Sequence, residues 1–81
     1  MSDPFVELDL HGLTKEEARF EIEQLLDTLD SGTYHVRLIH GYSRGTELKD
    51  MILHDYRSFP KVKRVMHGGN QGVTVLVLRE L

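Results

Sequence analysis

The sequence predicts an α/β fold, a single β-α-β-α-β-β domain with a four-stranded mixed sheet and two helices. Two observations predict it. Apolar residues switch between a spacing of two and a helical spacing along the chain, and glycines or capping residues stand at most of the switches. The 81 residues are enough for one domain, which we expect to span residues 1–81.

The first strand and the first helix have the clearest signals. Residues 5–10 alternate between apolar and polar types and predict a strand that Gly12 ends. Thr14 and Glu17 form the pattern of a capping box, so the first helix is predicted over residues 15–30, with Gly32 as its stop. Its core face recurs at helical spacing and consists of Ala18, Ile22, Leu25, Leu26 and Leu29.

The second half of the chain predicts a strand, a helix and two more strands. Residues 34–39 form the second strand, and Thr46 is the predicted N-cap of a helix that Pro60 prevents from continuing far beyond Ser58. Residues 62–66 and 73–78 predict the third and fourth strands, joined by a polar loop. The helical crossovers imply parallel neighbours with right-handed connections, and the short last loop implies an antiparallel hairpin.

Composition narrows the classes of function. The chain contains no cysteine, which excludes disulfides, cysteine-bound zinc and thiol catalysis. No apolar run reaches the length of a membrane span, and residues 1–5 lack the apolar region of a signal peptide, so we expect a cytoplasmic protein with no membrane partner. The net charge is −3, but residues 1–32 hold nine acidic and two basic side chains, whereas residues 33–81 hold four acidic and eight basic ones. We therefore expect a polyanion to contact a face to which the acidic first helix does not contribute.

Three predicted strands end in a His-Gly step, formed by His11, His40 and His67 with the glycine that follows each. In an open sheet of this kind, ligands bind outside the carboxyl ends of the parallel strands, so these steps predict one functional edge. No His-x-His or His-Glu-x-x-His spacing accompanies them, and we predict no metal site.

Asp9 and His11 are the first candidates for catalysis. Residues two apart on a strand point to the same side, so the Asp9 carboxylate is placed to accept a hydrogen bond from His11 and to orient its ring. An oriented histidine can act as a general acid or base, and His40 is predicted to share the proton transfer. The alternative is that Asp9 caps the turn leading to Thr14 and that His11 is a polar residue at a strand end.

The turn after the second strand is the candidate phosphate site. It leads into a helix N-terminus, where free backbone N–H groups favour anions, and its glycines let a ligand approach the backbone. Arg44 and Lys49 are predicted to hold a phosphate, while Tyr42 is placed to stack on a base. With the neighbouring loops, the predicted binding residues are Gly12, Gly41, Tyr42, Ser43, Arg44, Gly45, Thr46, Lys49, Asn70 and Gly72. The alternative is an ordinary connecting loop, with Asn70 and the glycines serving only tight turns.

These residues resemble the motifs of the Smr (small MutS-related) domain family. Residues 8–14, Leu-Asp-Leu-His-Gly-Leu-Thr, resemble its first motif; residues 39–41, Ile-His-Gly, its second; and residues 70–74, Asn-Gln-Gly-Val-Thr, its third. The resemblance covers residues 6–78 and is closest to the short stand-alone subgroup. Its one departure is Ser43, which stands where the family's second motif has its second glycine. The resemblance implies a fold similar to the C-terminal domain of translation initiation factor three, binding of DNA or RNA, and the nicking or ribonuclease activity described for longer members.

The first functional hypothesis is therefore a nucleic-acid-binding domain, with endonuclease activity by hydrolysis or transesterification as an open question. It requires no cofactor, or a divalent cation such as magnesium if the chain nicks DNA. Two alternatives stay open. One is an enzyme that acts on a small anionic metabolite at the same edge. The other is a non-catalytic protein-interaction module that uses the acidic face of the first helix, namely Glu16, Glu17, Glu21, Glu23 and Asp27.

Overall fold

The computed structural model describes residues 3–41 and 46–80. Its six elements follow the predicted order: β1 Phe5–Asp9, α1 Lys15–Thr28, β2 His35–Ile39, α2 Glu47–Asp55, β3 Arg64–His67 and β4 Val73–Val77. With 14 and nine residues, the two helices in these ranges are too short to cross a bilayer.

The four strands form one mixed sheet in the order β1-β2-β4-β3. β1 pairs with β2 in parallel, and β4 pairs antiparallel with both β2 and β3. β1, β2 and β3 therefore run in the same direction, and their carboxyl ends share one edge of the sheet, where β4 begins. This arrangement confirms the predicted α/β class, the parallel first pair and the closing antiparallel hairpin. The prediction that β2 and β3 are neighbours is wrong, because β4 lies between these two parallel strands.

One hydrophobic core lies between the two helices and one face of the sheet. Both crossovers advance in the same direction across the sheet, and right-handed connections then place both helices on the same side. The buried core residues are Leu10, Ala18, Ile22, Leu26, Val36, Leu38, Met51, Ile52, Tyr56, Val62, Leu76 and Leu78. Both helices thus hold the sheet from one side, and the strand ends carry the loops that the next section describes.

The N-terminus of α1 has the predicted capping box. The Thr14 hydroxyl accepts from the backbone N–H of Glu17 at 3.1 Å, and the Glu17 carboxylate accepts from the backbone N–H of Thr14 at 2.9 Å. The helix ends at Thr28, two residues before the predicted end. Leu29 there adopts an extended conformation and packs against the core, so its apolar side chain reflects core contact and not a further helical turn.

Two other details differ from the predictions. β3 begins at Arg64 and not at Val62, because the Val62 N–H donates to the Phe59 carbonyl in a turn at 2.9 Å. Val62 is buried in the core without pairing in the sheet, and sequence patterns do not separate these two reasons for an apolar residue. Thr46 occupies the N-cap of α2 as predicted, but its hydroxyl donates to the Asp50 carboxylate at 2.8 Å and makes no capping bond to the backbone.

Candidate functional site

Three loops meet at the carboxyl ends of β1 and β2. The Leu10 N–H donates to the Ile39 carbonyl at 2.8 Å and continues the β1–β2 ladder beyond the last paired residues. The backbone N–H groups of His40 and Gly41 both donate to the Gly72 carbonyl at 3.0 Å, which joins the turn after β2 to the loop before β4. We call residues 9–12, 40–41 and 70–72 the loop edge.

Asp9 holds His11 at the exposed end of β1. One oxygen of the Asp9 carboxylate lies 2.6 Å from His11 Nδ1 and 3.1 Å from the His11 backbone nitrogen. The carboxylate therefore both orients the ring and caps the turn. The catalytic hypothesis and its alternative, in which Asp9 only caps the turn, are both compatible with this geometry. The two side chains are 70% and 57% exposed for His11 and Asp9, which leaves the ring open to a ligand.

The electrostatics of this pair assign the protons. The hydrogen bond from the His11 ring, followed by the bond from the His11 backbone N–H, holds the pKa of Asp9 below its ordinary value of 3.8. Asp9 is therefore ionised at neutral pH and only accepts, so Nδ1 of His11 is the donor. Nε2 bonds to no residue in the described part of the chain and, in the neutral ring, carries the free lone pair.

Two glycines, Gly12 and Gly41, lie beside His11. Gly41 has φ of +71°, a left-handed conformation that favours glycine, and a methyl group built on it would lie 3.4 Å from the His11 Cβ. Gly12 is exposed, and a methyl group there would meet no atom within 4 Å. The His11 side chain thus packs beside Gly41, and the exposed main chain at Gly12 leaves room for a ligand.

His40 differs from His11, because the residue is only 6% exposed and both ring nitrogens bond within the protein. Nδ1 lies 2.7 Å from the Gly41 carbonyl oxygen, and Nε2 lies 2.8 Å from the Thr74 hydroxyl oxygen. A carbonyl can only accept, so Nδ1 donates to Gly41 and Nε2 accepts from Thr74 in the neutral ring. The catalytic role predicted for His40 stays a prediction, and this geometry favours a positioning role instead, because no ring nitrogen is left for a substrate.

Asn70 and Gly72 shape the third loop. The Asn70 side-chain oxygen accepts from the Gly72 N–H at 2.8 Å. This bond closes a local turn, as the alternative of an ordinary connecting loop predicts. The side-chain nitrogen of Asn70 donates to no residue in the described ranges, and the residue is exposed. A contact from this nitrogen to a ligand therefore stays a prediction, while the contribution of the oxygen to the turn is observed.

The start of α2 contributes the remaining predicted binding residues. Glu47, at its first turn, lies 3.9 Å from Lys15 at the start of α1, so both helix N-termini reach the same edge. Lys49 is half-buried and takes part in none of the ion pairs of the described residues, and Thr46 is exposed. Four predicted binding residues lie outside the described residues, namely Tyr42, Ser43, Arg44 and Gly45.

Sequence reasoning missed the role of Thr74. It is the one polar residue of the otherwise apolar β4, and it is buried. A buried hydroxyl needs a hydrogen-bond partner, so its position was a usable signal for a polar contact within the core. Within the residues that the structure describes, no group of three or more histidine and carboxylate side chains is placed to hold a metal ion.

Comparisons with known proteins agree with this geometry. The model of the Smr domain matches residues 8–79. The solved structure of the Smr domain of MutS2 from Thermus thermophilus is 34% identical and superposes with a TM-score of 0.80, over 91% of this chain and 98% of that one. No match was found among proteins with curated descriptions. The family model and the solved structure both cover nearly all of the chain, and the chain therefore belongs to the Smr domain family.

Proposed function

We propose that this chain binds nucleic acid at the loop edge and that His11 serves there as a general base. Smr domains are known in general for nucleic-acid binding and nuclease-related roles, which supports the class of ligand. The observation that carries the proposal is the exposed His11 ring, oriented by an ionised Asp9 and followed by the exposed backbone of Gly12.

The charges at the loop edge support an anionic ligand. α1 and α2 both begin there, and the N-terminus of a helix carries a partial positive charge that attracts phosphate groups. Lys49 in the first turn of α2 adds a cation that no described carboxylate neutralises. Glu16 and Glu17 in the first turn of α1, and Glu47 and Asp50 in the first turn of α2, oppose this attraction, so the phosphate backbone is expected to approach Lys49 and the glycine backbone of the loop edge and not these carboxylates.

RNA is the substrate that the exposed imidazole of His11, oriented by Asp9, suits best. Nε2 of His11 accepts the proton of a ribose 2′-hydroxyl, whose oxygen bonds to the adjacent phosphorus as the bond to the 5′-oxygen breaks. The 5′-oxygen leaves with a proton from water, and the products are a 2′,3′-cyclic phosphate and a free 5′-hydroxyl. The Asp9 carboxylate stabilises the imidazolium that forms. DNA has no 2′-hydroxyl, so this route cleaves RNA alone.

Binding is tested by fluorescence anisotropy with matched RNA and DNA oligonucleotides over a range of salt concentrations. We expect affinity to fall steeply as salt rises, because phosphate contacts release counterions. In a parallel NMR titration, the amide signals of His11, Gly12, Gly41 and Gly72 should move. No binding at low salt, or signals that move elsewhere while these stay still, would contradict the proposed site.

Cleavage is tested separately with His11→Ala and Asp9→Asn on a labelled RNA. General-base catalysis typically contributes about 10²–10⁴-fold, so His11→Ala should lose activity by that order and Asp9→Asn by less. His54→Ala is the matched control, since His54 is an exposed histidine in the last turn of α2. Equal cleavage by the wild type and both site variants would assign the activity to a contaminant, and a 2′-O-methyl RNA should resist cleavage.

A further inference from the structure

Among the residues that the structure describes, β1 is an edge strand of the sheet, with β2 on one side and no strand on the other. The Leu10 N–H donates to the Ile39 carbonyl of β2, and the Pro4 carbonyl accepts from the His35 N–H of β2. The backbone groups of the even-numbered residues therefore point towards β2. Direction alternates along a strand, and the N–H and C=O groups of Phe5, Glu7 and Asp9 therefore point away from the sheet. Such a row of outward groups is a template for pairing with another extended chain.

A groove runs along this edge between β1 and α1. It consists of two adjoining depressions of about 580 and 490 Å³, which share Glu21. Leu8 of β1 and Leu25 of α1 are half-buried at the rim of the core and line one end, and Leu13 and Phe20 line the other. Phe20 is 60% exposed, so the groove presents a large apolar side chain to solvent. We call this depression the β1 groove.

The β1 groove has an anionic rim. Glu16, Glu17, Glu21 and Asp27 all line it, and none of them takes part in an ion pair within the described ranges. A nucleic acid is repelled by such a rim. A second copy of the chain that paired β1 with β1 would bring two acidic rims together, and like charges across an interface are unfavourable. The occupant that fits is cationic and extended.

We propose that the β1 groove binds a basic, partly apolar segment of a partner protein, which adds a fifth strand to the sheet at β1. Outward backbone groups of β1 supply the pairing, as in other cases of strand addition. Alternate side chains of the added strand face α1, where lysine or arginine stems cover Leu8 and Phe20 and their charged ends reach Glu21 and Asp27. This surface adjoins the loop edge at Asp9, which lines one end of the groove and also orients His11, while Leu8, Phe20, Glu21 and Asp27 belong to the groove and not to the loop edge.

The test is an NMR titration of the full chain at low salt with an acetylated, amidated nine-residue peptide of alternating lysine and valine. Amide signals of β1 and of residues 20–28 should move, and the outward amides of Phe5, Glu7 and Asp9 should exchange more slowly with solvent. A lysine–proline peptide of equal charge cannot pair as a strand, and a glutamate–valine peptide has the wrong charge, so neither should bind. Binding of the lysine–proline peptide with equal affinity, or no binding of the lysine–valine peptide, would overturn the proposal.

Two variants with the same change of net charge separate the groove from general electrostatics. Glu21→Lys reverses a charge on the rim, and Glu80→Lys reverses one that pairs with Arg64 of β3, the strand at the other edge of the sheet. Because an exposed charge pair contributes only modestly, we expect Glu21→Lys to weaken peptide binding by about two- to fivefold and Glu80→Lys to leave it nearly unchanged. Phe20→Ala should also weaken it. Equal weakening by both lysine variants would overturn the proposal.

Discussion

The buried hydrogen bond between His40 and Thr74 gives the sharpest test of how the loop edge is held together. Thr74→Val keeps a branched side chain in β4 but removes the hydroxyl that donates to His40 Nε2 over 2.8 Å. Both residues are buried, so the ring nitrogen is left without a partner and without water. An unsatisfied buried polar group costs about 1–3 kcal/mol, and we expect the free energy of unfolding to fall by that amount.

Urea unfolding followed by circular dichroism measures this change, and calorimetry gives the shift in Tm. For a domain of this size, 1 kcal/mol corresponds to roughly 4–8 °C, so the Tm should fall by at least about 4 °C. Thr28→Val is the matched control, because the Thr28 hydroxyl also bonds within the chain, to the Leu25 carbonyl at 2.8 Å, but at an exposed site. Water replaces that bond, and the control should change stability by less than about 0.5 kcal/mol.

A double-mutant cycle isolates the contact itself. His40→Leu also removes the bond to the Gly41 carbonyl, but this loss occurs in both backgrounds and cancels in the cycle. We expect the double variant His40→Leu with Thr74→Val to lose about 0.5–3 kcal/mol less than the two single losses added together. Strict additivity, or a Thr74→Val variant as stable as the wild type, would refute the assignment of His40 as a buried positioning residue.

Three further predictions follow from the same contacts. Gly68→Ala should destabilise the fold by about 1–3 kcal/mol or more, because the new methyl would stand 2.3 Å from Val73 Cγ1, and Val73→Ala in that background should recover part of the loss in urea unfolding. Gly41→Ala should cost about 1–2 kcal/mol in the same assay through its φ of +71°, and an unchanged midpoint would contradict the left-handed turn. The pKa of Asp9 measured by NMR should lie below 3.8, and His11→Ala should raise it. Because this pKa is lower in the folded state than in the unfolded chain, the stabilising effect is present above the unfolded pKa and is lost as the pH falls through the folded one, and a midpoint at or above 3.8 would contradict it.

The parts of the fold that sequence reasoning predicted are those that rest on local interactions. The capping box of Thr14 and Glu17 and the hydrogen bond of Asp9 to His11 each join residues at most three positions apart. The spacing of residues decides whether such contacts can form, and spacing is read directly from the chain. The order of the elements was predictable for the same reason, since each element has its own periodicity and its own stop signals.

The local sequence patterns did not predict whether each residue is buried or exposed to solvent. Three His-Gly steps look alike in the sequence, yet the first histidine is exposed on an aspartate and the second is buried on Thr74, 34 residues away. Val62 looks like the start of a strand, because burial in a turn and burial in a sheet leave the same apolar signature.

The sequence by itself determined the class of fold, the α1 cap and the chemistry available at the ends of the strands. The tertiary structure alone decided that β4 lies between β2 and β3. That pairing brings Thr74 onto His40, whose ring is buried, whereas His11 stays exposed beside Asp9 and β1 stays an edge strand of the sheet. Contacts between residues far apart in the chain form only when the whole core closes, because the entropy lost in closing each loop is offset by burial shared among all the elements.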